Sequence, residues 1–305
     1  GWQIPIITNE VHENAKVVGI DNARLKAMLK DDVIPVITGF QGVNDGNITT
    51  LGRGGSDTSA CAVANALGAD QCLIYTDVLG VYSSDPRKIS AAKIANEISY
   101  EECLEMAASG SSVIHPRAVE VGLNESFDLR ILSTAHPEEK GTKIIAKKAI
   151  EREEVVGVSA DEEQTLITLE DLENVPGVAS AIFSQLQNIN INADLIVQNI
   201  SQNAKYSDLS FTVKPDDEGN VVDALTKVNQ IAYQKLRVQK NVAKISVIGI
   251  GVKRYSEIAK KMFQTLAKEG INILLVSTSE IKISVLIQRE FAQIALSALH
   301  REFVE

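Results

Sequence analysis

The sequence predicts an α/β half followed by two α+β units, and three observations carry that prediction. In residues 1–145 short apolar, β-rich runs alternate with stretches of helical periodicity, the pattern of a parallel or mostly parallel open sheet with helices on its faces. Residues 178–199 (VASAIFSQLQNININADLIVQN) recur as 258–279 (IAKKMFQTLAKEGINILLVSTS) at an offset of 80 residues, matching Ala179 to Ala259, Phe183 to Phe263, Leu186 to Leu266, Ile191 to Ile271, Asn192 to Asn272 and Leu195 to Leu275. Between the halves lies a charged run, AKKAIEREE at 146–154, the best candidate for a boundary.

Each element has a local reason. Residues 4–8 (IPIIT) and 33–38 (VIPVIT) are short, continuous apolar runs and read as buried strands. Residues 56–67 begin with Ser-Asp and continue through alternating alanines, so a helix is expected, with Ser56 as N-cap only if the loop before it is a plain tight turn. A strand at 73–76, helices at 100–108 and 116–123 and a strand at 127–132 complete the first half. In the second half each copy of the repeat reads β-α-β-β-α. The first has strands at 165–169 and 207–213 and a second helix at 220–232. The second has strands at 243–250 and 281–287 and a second helix at 290–300. The first copy continues into a further strand at 236–239, whereas the second stops at Glu305 without one. An unclaimed strand at 155–160 is expected to complete the second unit, which makes the first unit an insertion within it. The expected division is 1–150 and 151–305, with the first unit at about 163–240 and the second at about 241–305 completed by 155–160.

Composition narrows the function. A chain of 305 residues with 45% hydrophobic and 23% charged residues is globular and long enough for two or three domains. Its net charge of −10 weighs against nucleic-acid partners, and no apolar run reaches the length of a membrane span. Gly1 to Asn9 lack a basic n-region and do not read as a secretory signal, and with the cysteines read below as reduced thiols a cytoplasmic protein is expected. Cys61, Cys72 and Cys103 sit in apolar stretches without metal-ligand spacing and read as reduced, buried thiols. Because the chain opens within a strand and without Met, a further segment upstream is expected.

Three stretches carry candidate chemistry. In TTLGRGGSDTS (49–59) a Gly-rich loop feeds a helix N-terminus, which suits anionic ligands, and Arg53 adds a fork-shaped donor for carboxylate or phosphate. In YTDVLGVYSSDPR (75–87) Thr76 and Asp77 end an apolar strand, the place where open α/β sheets bind ligands. Asp77 there suits ribose hydroxyls or Mg²⁺, Tyr82 a base and Arg87 phosphates. In GSSVIHPR (110–117) His115 reads as a packed or capping residue and not as a base, since no nucleophile accompanies it.

These stretches, together with GFQGV (39–43), VIHPRAVE (113–120) and STSEIKIS (277–284), resemble the aspartate kinase family in its monofunctional form with two C-terminal ACT units, over essentially the whole chain. The resemblance implies an amino-acid-kinase-type open sheet with helices on both faces, present in part, followed by two ferredoxin-like ACT domains. It implies transfer of the ATP γ-phosphoryl group, with Mg²⁺, to the β-carboxylate of L-aspartate, the first step toward lysine, threonine and methionine. By motif, Phe40, Arg53, Ser56 and Asp57 correspond to the aspartate site, with Arg53 and Asp57 in catalytic roles, and Thr76, Asp77, Tyr82 and Arg87 to the nucleotide site. No metal site of the protein's own is implied. The family's Lys-Phe-Gly-Gly phosphate loop does not occur in this sequence, and Ser112 stands where a nucleotide-contacting lysine is usual, so residues 1–305 by themselves are expected to be inactive.

The resemblance also implies feedback regulation. An amino-acid effector, threonine first and lysine second, is expected at Asn174, Pro176, Gly177, Ala179, Gln198 and Asn199, with Ser277 and Thr278 supplying a partner wall. Assembly as a homo- or hetero-oligomer through the ACT units follows. The alternative is a non-catalytic, amino-acid-binding regulatory chain, which leaves the motifs between Gly39 and Arg87 unexplained.

Overall fold

The computed structural model describes residues 3–108, 113–124, 127–146, 155–200, 205–227, 232–250 and 255–305. The charged run expected as a boundary and Ser112 fall almost wholly outside the described residues.

The first half builds two sheets. One contains β1 (Ile6–Thr8), β2 (Val17–Ile20), β3 (Gln41–Asn44) and β4 (Asn47–Thr50) in the order β2-β1-β3-β4, with only the β1–β3 pair parallel. The other contains β5 (Gln71–Thr76), β6 (Glu97–Ser99), β7 (Asp128–Ser133) and β8 (Thr142–Ile145) in the order β5-β7-β8-β6. There β5 runs parallel to β7 and β6 to β8, while β7 and β8 are antiparallel. The sheets are therefore mixed, a correction to the expected parallel or mostly parallel arrangement; in the second, the short 134–141 connection returns the chain directly beside β7.

Helices α2 (Gly55–Leu67), α3 (Tyr100–Ala108) and α4 (Pro116–Asn124) cover one face of the second sheet, burying Cys61, Cys103, Met106 and Val119 against Ile74, Leu129, Ile131 and Ile144. Gly68, left-handed at φ 64°, ends α2. The three thiols are free and buried.

The expected strand at 33–38 is absent. That stretch follows α1 (Ala23–Lys30) as unpaired chain, with Ile34 87% and Val36 97% exposed. Pro35 interrupts the run and has no N–H to give a ladder. An apolar run records composition, and here no neighbouring strand accepts it.

In the second half one six-stranded antiparallel sheet takes the order β10-β11-β9-β12-β14-β13. Two long strands, β9 (Gly157–Glu173) and β12 (Lys235–Ile248), form its centre. The strands expected separately at 155–160 and 165–169 are one strand, as are those expected at 236–239 and 243–250. Residues 157–161 of β9 ladder onto 244–248, with Val158 opposite Val247, and residues 164–170 ladder onto 235–242, with bulges near Val242 where Asn241 takes φ 55°. The outer strands are β10 (Ile196–Ile200) and β11 (Tyr206–Val213) on one side, β13 (Leu275–Thr278) and β14 (Lys282–Gln288) on the other. Helices α5 (Val178–Asn188) and α6 (Glu218–Thr226) cover Ile167, Leu209 and Phe211; α7 (Tyr255–Lys268) and α8 (Ala292–Phe303) cover Val158, Ile245 and Val285. On the other face Leu166, Val242 and Leu286 meet Leu195 and Leu275, so the sheet curls and brings its two edges toward each other.

Two charged contacts deserve placing because they cross between units. Lys244, 3% exposed, pairs with Asp194 just ahead of β10, beside Gln164, whose amide donates to Asp161. Glu102 completes a capping box at the start of α3. Its Oε2 accepts from the Ser99 N–H at 3.0 Å while Ser99 Oγ accepts from the Glu102 N–H. The second oxygen, Oε1, accepts from the Ile250 N–H at 2.9 Å, fastening the end of β12 to the first half. Lys282–Glu105 and Lys88–Glu162 reinforce the same junction. Glu102→Ala strands two backbone donors and should cost about 1–3 kcal/mol. Hydrogen exchange at the Ile250 amide should quicken together with a lower melting temperature; protection unchanged at Ile250 would rule the tie out.

Candidate functional site

The Gly-rich loop between β4 and α2 is held from three sides. Leu51 is buried and donates its N–H to the Phe40 carbonyl, the Gly55 N–H closes a turn on Gly52, and Arg117 reaches Asn14 Oδ1 at 3.0 Å, the Ala15 carbonyl at 2.7 Å and the Leu51 carbonyl. Gly54 precedes the helix at φ 68°, and a β-carbon there would lie 2.1 Å from His115 Cβ, so only glycine fits. Thr58 and Ser59 turn their hydroxyls back to the carbonyls of Gly54 and Ser56.

The four residues expected at the aspartate site converge here. Phe40, at φ 72°, donates its N–H to Ser59 Oγ, and its ring edge lies over Gly55. Arg53 stands exposed at the tip of the loop, and among the described residues its guanidinium has no partner. Ser56 is exposed in the first helical turn, so the cap falls to Gly54 and not to Ser56. Asp57 is half-buried. Burial raises its carboxyl above the ordinary range, tempered by a hydrogen bond from the His115 backbone N–H and by the imidazole beside it. His115 is itself held below its usual range by burial and then by Arg117, with Asp57 opposing and Arg53 adding to the shift. His115 thus packs as the sequence suggests, and its backbone is the contribution the sequence did not reveal.

The raised Asp57 carboxyl gives a stability prediction with a definite sign. Folding favours its protonated form, so the contribution is full below the ordinary carboxylate pKa and is lost as pH rises through the raised one. Asp57→Asn keeps an acceptor for His115 and removes the buried charge. It should melt above wild type at pH 7, with the gap closing as pH falls toward 4. A variant that melts below wild type at pH 7 would reverse the assignment of burial as the dominant effect.

The nucleotide candidates gather at the end of β5. Thr76 donates its hydroxyl to Asp77 at 3.1 Å, and its carbonyl accepts from the Thr134 N–H. Asp77 is exposed, Tyr82 is half-buried and bridges to Ile94, and Arg87 forms a two-pronged ion pair with Asp85 at 3.0 Å through Nε and Nη2. This pairing holds Asp85 below the usual carboxylate range, while Arg87 remains 87% exposed and feels the field of Asp77.

The effector candidates divide. Asn174, Pro176, Gly177 and Ala179 are exposed at the start of α5, with Gly177 left-handed at φ 100°. Gln198 faces the helical side and donates to Ser207 at 3.1 Å, near this loop. Asn199, the next residue on the strand, faces the opposite side and lines a cavity of about 480 Å³ with Thr168, Arg237 and Leu275. Ser277 and Thr278 lie on β13, the far edge of the sheet from β10. Within one chain, then, Gln198 joins the Asn174–Ala179 loop, and Asn199, Ser277 and Thr278 do not.

A Gly-rich helix entry with an exposed arginine, strand-end Thr-Asp and paired ACT-like units define an amino-acid kinase with a regulatory region. Residues 2–133 match the Amino acid kinase family and residues 245–303 match the ACT domain. The chain is 40% identical over 308 residues to the aspartokinase of Pseudomonas aeruginosa and 38% identical over 305 residues to that of Geobacillus stearothermophilus, covering 99% of this chain and 74% of each relative. Its fold is similar to E. coli aspartokinase III in complex with aspartate and ADP, with a TM-score of 0.80 at 27% identity over 98% of this chain and 68% of that one. It is also similar to the same enzyme in complex with lysine and aspartate, with a TM-score of 0.75. The chain belongs to the aspartate kinase family. Among the described residues no helix is long and apolar enough to cross a membrane.

Proposed function

We propose that this protein transfers the γ-phosphoryl group of ATP to the β-carboxylate of L-aspartate, forming 4-phospho-L-aspartate for lysine, threonine and methionine synthesis, in the cytoplasm. The observation that carries the reading is the convergence of Phe40, Arg53, Ser56 and Asp57 at the entry to α2. Arg53 clamps the α-carboxylate, and Asp57 accepts from the α-ammonium or orients a catalytic lysine. Thr76, Asp77, Tyr82 and Arg87 hold the nucleotide. A β-carboxylate oxygen attacks the γ-phosphorus as the bond to ADP breaks, so the site needs positioning and charge neutralisation and no proton transfer. Asp77, exposed beside the Thr76 hydroxyl, fits as a ligand for Mg²⁺ carried on the phosphates, where the ion offsets the charge that develops.

On this reading residues 1–150 are the kinase part and 151–305 the regulatory part, with one ACT unit at about 163–240 and the other at 241–305 completed by 155–160. The 305-residue chain should turn over little by itself, because it contains no Lys-Phe-Gly-Gly phosphate loop. The test compares this chain with the same chain fused behind a segment bearing that motif. ADP release that depends on aspartate is expected from the fusion; release indifferent to aspartate, or faster with another amino acid, overturns the reading.

Regulation is proposed at Asn174–Ala179 with Gln198, near a contact between subunits of a homo- or hetero-oligomer. Threonine is the first choice and lysine the second, since Asn174 offers no full charge to an ammonium side chain. An exposed Pro-Gly helix entry, whose first N–H groups have no helical partners, suits the effector carboxylate. Calorimetric titration should detect binding to wild type and about 5- to 150-fold coupling to the kinase site. Gln198→Ala should weaken binding; equal affinity in that variant moves the site elsewhere.

A further inference from the structure

A cleft that none of these roles uses lies where the two halves of the chain meet. It has a volume of about 790 Å³ and is walled on one side by residues 93–97 and the β7–β8 strands, on the other by Val155, Val156, Phe303 and Val304. Its lining is cationic: Lys93, Arg130, Lys140 and Lys143 face it, with Glu97 as the acid on the same wall. In a chain of net charge −10, this concentration of positive charge runs against the whole.

Two of the four cations already have a partner. Lys143 pairs with Asp128 at 2.7 Å, and Lys93 donates to the Val304 carbonyl at 2.9 Å. Lys140 is exposed, and among the described residues it has no hydrogen bond or ion pair. Arg130 is the telling residue. It stands opposite Lys143 in the β7–β8 ladder, and its Nε is buried without an acceptor. A buried donor left unpaired costs free energy that an anionic ligand would return. The adjacent Ser83 is fixed by His300 Nε2 at 2.9 Å and by the Lys93 N–H, so this wall is built by both halves and is not a loose surface.

We propose that this cleft binds a small polyvalent anion, a compact phosphate or carboxylate compound with at least two negative charges, which Arg130 and Lys140 grip and Lys143 and Lys93 surround. Bound there, the anion bridges the kinase strands and the C-terminal helix of the regulatory half, at a place that shares no residue with the proposed aspartate, nucleotide or effector sites. Fork-shaped Arg130 supplies the directional contacts and the lysines supply point charge.

The test is calorimetry at low ionic strength on the 305-residue chain, with inorganic pyrophosphate and citrate as probes. One anion should bind per chain, and Arg130→Gln and Lys140→Gln should each weaken it about tenfold or more. Lys140 is exposed, so its variant keeps the test open where Arg130→Gln disturbs folding. A preference for pyrophosphate over citrate identifies the source as a phosphate compound, and the reverse as a carboxylate. The absence of binding to wild type overturns the proposal, and so does unchanged affinity in both variants. Loss of binding in Arg87→Gln with retention in Arg130→Gln and Lys140→Gln places the anion at the nucleotide residues and also overturns it.

Discussion

Arg53→Ala is expected to lower kcat/KM for aspartate about 30- to 1,000-fold, equivalent to about 2–4 kcal/mol of transition-state binding. The side chain stands exposed at the loop tip and has no partner among the described residues, so its removal should leave the fold intact and fall wholly on the substrate. The loss exceeds that of an ordinary hydrogen bond because a carboxylate would remain unpaired against a half-buried Asp57. Arg53→Lys should recover only part of it, since an ammonium cannot reproduce the two-pronged grip. Steady-state kinetics in the fusion described above decide the matter, and wild-type kcat/KM in the alanine variant would remove Arg53 from the site.

Asp194→Ala should be strongly destabilising in the regulatory half, at about 3 kcal/mol. Breaking a buried pair typically costs about 3–5 kcal/mol, and the lower end applies because Asp194 is 38% exposed while Lys244 is 3% exposed. The asymmetry between the partners is the sharper forecast. Lys244→Met leaves a carboxylate that water can reach and should cost less than about 1 kcal/mol, and the double variant should resemble Lys244→Met rather than Asp194→Ala. Denaturant unfolding of the four proteins gives the comparison; equal losses in the two single variants would mean the ammonium is not trapped.

What the sequence made legible, and what it hid, follows from range. The α2 entry could be read because its glycines, Arg53 and Asp57 are neighbours in the chain, and α3 because its helical periodicity is a local signal; its Ser99–Glu102 capping box emerged only in the structure. The partnership of Gly54 with His115 could not, since the two residues come together only through the packing of α2 on α4. Residues 161–164, Asp-Glu-Glu-Gln, look like a break between strands. They remain within β9 because Glu162 has Lys88 to pair with and Gln164 has Asp161, contacts that no periodicity announces. The strand expected at 33–38 failed for the opposite reason, an apolar run without a partner. Gln198 and Asn199, expected at one site, lie on opposite faces of β10, as a period of two requires of neighbours on a strand.

The two long central strands also set a timetable. Residues 157–161 of β9 emerge from the ribosome well before 244–248 of β12, with which they pair. At about 5–20 residues per second, the first end of β9 waits roughly 4–17 s for its partner. Over the same interval residues 164–213 are already out, so β9 can pair with β11 while its leading end stays open. The half of the sheet around β10 and β11 therefore assembles as a nascent structure, and the half around β13 and β14 closes only after residues 275–288 have followed. A stall between residues 213 and 244 would expose the leading end of β9, Val158 included, to chaperones or to other chains.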